Sequence, residues 1–179
     1  MSRLASDPLL AAAKVILALG IAMFVFVMAM VLIGIGALLT VERGKILAEL
    51  ARAGAPDSAY WAVVVALLLV GGLMFLGLRF VLELRGIVSS VDKGDPFEPA
   101  NAERLQRMGW ITVGGYALGL VLGALAAWIK SVAGDAGRLH VDASFDLGGS
   151  GILLILTLFI LARVFRHGTA LREDLEGTV

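Results

Sequence analysis

Residues Val15–Leu39, VILALGIAMFVFVMAMVLIGIGALL, hold no charged side chain and no proline, and their reading decides the fold. A helix rises about 1.5 Å per residue and a bilayer's hydrocarbon core is about 30 Å thick, so roughly 20 apolar residues cross it. The chain has 179 residues, 59% of them hydrophobic and 17% charged, with a mean hydropathy of +0.93. That composition lies outside the soluble globular range and assigns the run to a membrane. A secretory signal has a shorter apolar region of about 7–15 residues and a small-x-small cleavage site. This run instead ends in LLTVERG and reads as an uncleaved anchor.

Three further runs lie downstream. Ala59–Leu78 is AYWAVVVALLLVGGLMFLGL, with Tyr60 and Trp61 where aromatic rings favour the water–lipid boundary. Gly109–Ile129 is bounded by Trp110 and Trp128. The fourth, Leu147–Ala162 (LGGSGILLILTLFILA), is the shortest. It reaches the lower limit of about 17 residues when the helix continues through Arg163 to Phe165 and the arginine snorkels to the boundary. The expected fold is all-α: one transmembrane domain over residues 1–179 with spans at about 15–39, 59–78, 109–129 and 147–165.

Orientation follows from the basic residues beside the spans, which are retained in the cytoplasm. With the N-terminus inside, Arg3, Lys14, Arg79, Arg85, Lys93, Arg104, Arg107, Arg163, Arg166 and Arg172 are cytoplasmic. Arg43, Lys45, Arg52, Lys130 and Arg138 are outside, a bias of about two to one. Both termini are therefore expected in the cytoplasm, with segments 84–108 and 166–179 forming the inner surface.

The segments between spans carry their own patterns. Ile46, Leu47 and Leu50 recur at helical spacing before Gly54 and Pro56, which predicts a short helix. In the second outer loop Leu139, Val141, Ala143, Phe145 and Leu147 alternate with polar residues, a strand pattern that needs a partner from the first outer loop or another subunit. His140, Asp142 and Asp146 would share one face of it, and a solvated polar face is preferred to a metal site. On the inner side Leu84, Val88 and Val91 extend the second helix, with Glu83 and Arg85 facing water, until Lys93-Gly94-Asp95-Pro96. Pro99 suits the first position of the next helix. Val164, Gly168, Leu171 and Leu175 then predict a packed face on a C-terminal helix.

Chemistry is sparsely represented. Fifteen basic and fifteen acidic residues cancel, so nothing marks direct binding of nucleic acid, and the absence of cysteine excludes disulfides and thiolate metal sites. The two histidines, His140 and His167, fall on opposite sides, and no catalytic constellation can be assembled. The expectation is a non-enzyme without cofactor or metal. No ionisable group falls at mid-depth in a span, where a transport path would need one. Thr112, Ser150 and Thr157, the aliphatic hydroxyls of the third and fourth spans, can bond their own helix backbones. Gly115, Gly119, Gly123 and Ala127 form a small-residue row that reads as a helix-packing seam, meeting either a neighbour in the chain or a second subunit of a homo-oligomer. Glu83 and Arg166 lie about one turn beyond their apolar runs and are expected to pair at the inner edge, within a belt of snorkelling charges.

Two stretches stand out: Gly94-Asp95-Pro96-Phe97 with Asn101, Arg104-Leu105 and Gly109-Trp110, and Leu161-Ala162, Val164-Phe165-Arg166, Gly168 and the tail Leu171 to Val179. Together they resemble a bacterial family of multi-pass membrane proteins, the domain of unknown function 2975. The resemblance implies a four-span bacterial inner-membrane protein, and members are often encoded beside a small helix-turn-helix regulator. It implies no catalytic residue and no ligand. The expected function is that of a membrane-anchored regulatory or sensory protein, with Leu171, Glu173, Asp174, Leu175 and Glu176 as the docking element for such a regulator. The alternatives are a small transporter or pore subunit and a structural membrane subunit.

Overall fold

The computed structural model describes residues 8–52, 54–133 and 149–176, and side chains as far as Arg172. Five helices follow one another: α1 (Pro8–Thr40), α2 (Arg43–Arg52), α3 (Ser58–Asp92), α4 (Pro99–Ala133) and α5 (Gly149–Glu176). No strand occurs among the described residues. The strand expected over residues 138–147, with His140, Asp142 and Asp146, lies outside them. Four helices, all but α2, are long and apolar enough to cross a membrane. At 35 residues each, α3 and α4 reach about 52 Å at 1.5 Å per residue, well beyond a core of about 30 Å. The excess length builds the polar surface described below.

Helix ends fall where local chemistry stops them. Gly94 has φ 84°, and the N–H groups of Gly94 and Asp95 bond the carbonyls of Val91 and Ser90, so the last turn of α3 closes in a Schellman motif. Gly54 (φ 71°) ends α2 the same way, through bonds from Gly54 to Ala51 and from Ala55 to Leu50. Any other residue at these two positions would strain the backbone. Pro99 opens α4, where its missing N–H costs nothing.

The helices form two compact units. The first comprises Met1–Phe24, Leu76–Gly114 and Leu147–Val179. Within it successive long helices run antiparallel. On α1 and α3, Lys14 meets Asp92 and Phe24 meets Gly77; on α3 and α4, Glu83 meets Arg107, Gly86 meets Arg104 and Ser90 meets Asn101. On α4 and α5, Trp110 meets Phe159 and Gln106 meets Arg166. The core joins Leu105 and Met108 of α4 to Leu158 and Ala162 of α5, with Phe80, Leu84, Ile87 and Phe165 against them.

The second unit comprises Val25–Phe75 and Gly115–Asp146. Here Ile46, Leu47 and Leu50 of α2 pack on Leu38, Tyr60 and Val64, as the helical spacing of the loop predicts. Tyr60 is 2% exposed and donates its hydroxyl to the Leu38 carbonyl at 3.0 Å, satisfying an acceptor in the last turn of α1. It is therefore enclosed by the chain rather than open to lipid, whereas neighbouring Trp61 is exposed. Gly72 comes close to α4, where an added Cβ would lie 3.0 Å from Leu118.

Candidate docking surface at the α3–α4 turn

The end of the first unit is built around Asn101, which is fully buried. A buried amide must find partners, and this one finds three. Its Nδ2 donates to Ser90 Oγ at 2.6 Å and to the Pro96 carbonyl at 3.0 Å, and its Oδ1 accepts from Arg104 Nη1 at 2.8 Å. Ser90 in turn donates to the Ile87 carbonyl at 2.8 Å. Arg104 also reaches Glu98 Oε2 at 3.4 Å and packs against Gly86, where an added Cβ would fall 2.7 Å from Nε. The network ties the last turns of α3, the turn itself and the first turns of α4 into one piece. No buried side-chain polar atom among the described residues lacks a partner.

The turn then docks on α5. Phe97 lies over Gly168, with 3.2 Å from its ring to where a Cβ would stand, and its ring centroid is 5.6 Å from that of Phe165. Thr169 Oγ1 lies 3.1 Å from the Phe97 carbonyl and 2.9 Å from the Phe165 carbonyl of its own helix, its single proton shared between the two acceptors, and Arg172 pairs with Asp95 at 2.7 Å. Lys14 of α1 pairs with Asp92 at 2.6 Å, so the beginning of α1 and the end of α5 gather at the same turn.

Of the predicted stripe on α5, Gly168 packs within the chain, beneath Phe97. Leu158, Ala162, Phe165, Thr169 and Arg172, at spacings of four, three, four and three, face the chain, while Val164 and Leu171 are 56% and 53% exposed. Thr169 and Arg172 enter through hydrogen bonds that a hydrophobic pattern does not register. Leu171 is thereby left on the outer surface; Glu173, Asp174, Leu175 and Glu176 follow, and their side chains lie outside the described residues.

The inner-edge pair is also rearranged. Glu83 accepts from Arg107 at 3.0 Å and has a side chain only 11% exposed, whereas Arg166 donates to Gln106 Oε1 at 2.7 Å. The expected Glu83–Arg166 pair is not formed. Both residues turn to α4, because the short α3–α4 connection sets Glu83 and Arg107 at matching distances from the turn. Nor does Glu83 face water as its position beside Arg85 suggests.

Along the small-residue row of α4, Gly119 is buried, Gly115 and Gly123 are half-buried and Ala127 is exposed. A Cβ on Gly115 would meet nothing within 4 Å among the described residues. Close approach between α3 and α4 falls instead at Gly72 and Gly86, which the fourfold repeat does not mark. Thr112 and Thr157 donate to the carbonyls of Met108 and Leu153, four residues back on their own helices. No group of three or more potential metal ligands occurs among the described residues.

Four apolar helices with polar extensions define a multi-pass helical membrane protein. The pattern of the family described as Protein of unknown function (DUF2975) matches residues 46–179, and the chain belongs to that family. The match begins within α2 and leaves α1 outside. Comparison with curated proteins and with solved structures finds no match. Among the residues that carry the resemblance in the sequence, Asp95, Phe97, Phe165, Gly168 and Arg172 join the turn to α5, while Asn101 and Arg104 tie the turn to α3 and α4. Ser90 and Thr169 complete the assembly and were marked by no motif; only their placement opposite Asn101 and Phe97 reveals them.

Proposed function

We propose that this chain is a non-catalytic regulatory or sensory protein of a bacterial inner membrane, with both ends in the cytoplasm. In this reading the α3–α4 turn and α5 form the docking surface for a small helix-turn-helix regulator. The observation that carries it is the gathering of the motif residues, through Asn101 and Phe97, into one hydrogen-bonded surface outside the apolar runs. A transport path would place ionisable groups at mid-depth. The uncharged stretches 58–78, 108–129 and 149–162 supply none, and Thr112 and Thr157 are engaged by their own helices. Leu171 offers an exposed apolar contact, and Glu173, Asp174 and Glu176 suit the basic face of a DNA-binding partner. The two-to-one excess of basic residues supports placing this end inside.

Removal of Leu171–Val179 tests the reading. The truncated protein is expected to insert normally, since the spans carry the insertion signal, while transcripts of the genes encoded beside it lose their response. Normal membrane levels with an unchanged response would sink the docking role and favour a transport or structural subunit. Reporter fusions after Val179 and near Gly137 check the orientation: the first should be active only in its cytoplasmic form and the second only in its external form.

A further inference from the structure

Beside the docked turn, the first unit has a groove between α4 and α5 of about 500 Å³, lined by Gln106, Phe159, Ala162, Arg163, Arg166 and His167. An adjoining hollow of about 510 Å³ shares Gln106 and Arg166 and is completed by Glu103, Arg107 and Trp110. The charges around these hollows are unequally satisfied. Arg107 has both Glu83 and Glu103, and Arg172 has Asp95. Arg163 and Arg166 have no carboxylate partner among the described residues, and Arg166 is held at the groove by its hydrogen bond to the neutral Gln106. Two guanidinium groups and an imidazole thus line a hollow together with the apolar Phe159, Ala162 and Ala170 and the amide of Gln106.

The depth of the groove matters as much as its charge. On α5 the uncharged run ends at Ala162 and the first charge is Arg163; on α4 the last charge before the uncharged run is Arg107, and that run begins at Met108. The groove therefore straddles the level at which headgroups meet acyl chains. Trp110, 60% exposed and packed edge-to-face on Phe159 at 5.6 Å, occupies the position favoured by interfacial indoles. Basic pockets between spanning helices suit anionic headgroups, and guanidinium binds phosphate in a bidentate fork.

We infer that this groove is a binding site for one anionic phospholipid, its phosphate held by Arg163 and Arg166 with His167 alongside, and an acyl chain lying along Ala162 and Phe159. The inference stands independently of whether α5 docks a regulator.

The chain has three tryptophans, so Trp61→Phe with Trp128→Phe leaves Trp110 as a fluorescent reporter at the site. In nanodiscs, brominated phosphatidylglycerol should quench Trp110 at a lower mole fraction than brominated phosphatidylcholine. Arg163→Gln, which removes a side chain with no hydrogen bond among the described residues, should weaken that preference about fivefold. Adding Arg166→Gln should abolish it. Arg163→Gln also keeps the test valid if the double variant fails to fold, as read by size-exclusion elution. Equal quenching by the two lipids, or a preference unchanged in Arg163→Gln, would overturn the site. Relief of quenching by millimolar inorganic phosphate would overturn the lipid as its occupant and point to a soluble anion.

Discussion

The end of the molecule built by the α3–α4 turn and the first spanning helix are held by different means. At the turn, Asn101 is 0% exposed and Ser90 3%, and both are held by hydrogen bonds within the chain. In α1 only 6% of the most apolar window is buried, and Val15, Ile16, Leu19, Phe26 and Ile33 all face outward. In lipid an exposed leucine is as well solvated as a packed one, so α1 needs only to be apolar, and many sequences satisfy that. A buried amide tolerates almost no substitution, because the groups it leaves behind cannot turn to water. The family pattern covers residues 46–179, which include the turn and α5, and leaves α1 outside.

Substitution at the two regions should break or sharpen the contrast. Asn101→Leu leaves the Ser90 hydroxyl, the Pro96 carbonyl and Arg104 without their shared partner and is expected to cost about 3 kcal/mol, read as a lowered melting temperature in mild detergent. A melting temperature equal to the parent's would mean that the network contributes nothing. Gly77→Ala comes next, because its Cβ would lie 2.5 Å from the Phe24 ring, and an overpacked contact of this kind costs about 1–3 kcal/mol. Its control is Gly36→Ala in α1, where nothing lies within 4 Å and the change should be neutral or slightly stabilising. If the two alanines behave alike, α1 is not held against α3 at Phe24.

The ion pair at the edge offers a smaller effect. Arg107 is half exposed, so Arg107→Glu should cost at most about 1 kcal/mol, and adding Glu83→Arg should recover part of it. Glu83→Arg should give no such recovery in Arg166→Glu, since Arg166 bonds Gln106; equal recovery in both backgrounds would contradict the assigned partners. Smallest of all, Leu19→Ala, at a residue 66% exposed, should leave the stability in detergent within about 0.5 kcal/mol of the parent. A larger loss would mean that a second chain covers α1.

Much of this architecture is legible in one sequence. Charge-free runs locate the spans, Gly94 with Pro96 stops α3 near its observed end at Asp92, and Pro99 opens α4 where expected. The spacing of Ile46, Leu47 and Leu50 foretells both α2 and its packed face. The errors share a cause. Tyr60 looks exposed to lipid until α2 is folded over it, and Glu83 looks solvated until α4 supplies Arg107.

Hydrophobic length and glycine or proline punctuation act over a few neighbouring residues, so the chain by itself determines that there are four spanning helices and where they end. Which side chain meets which depends on the register between helices, and register comes from contacts far apart in sequence: Phe97 on Gly168, Asp95 on Arg172, Lys14 on Asp92. Those contacts cannot be read from periodicity, because several registers place apolar residues equally well in lipid. Only the tertiary structure decides among them, through the few polar groups, Asn101 foremost, whose hydrogen bonds close in one arrangement alone.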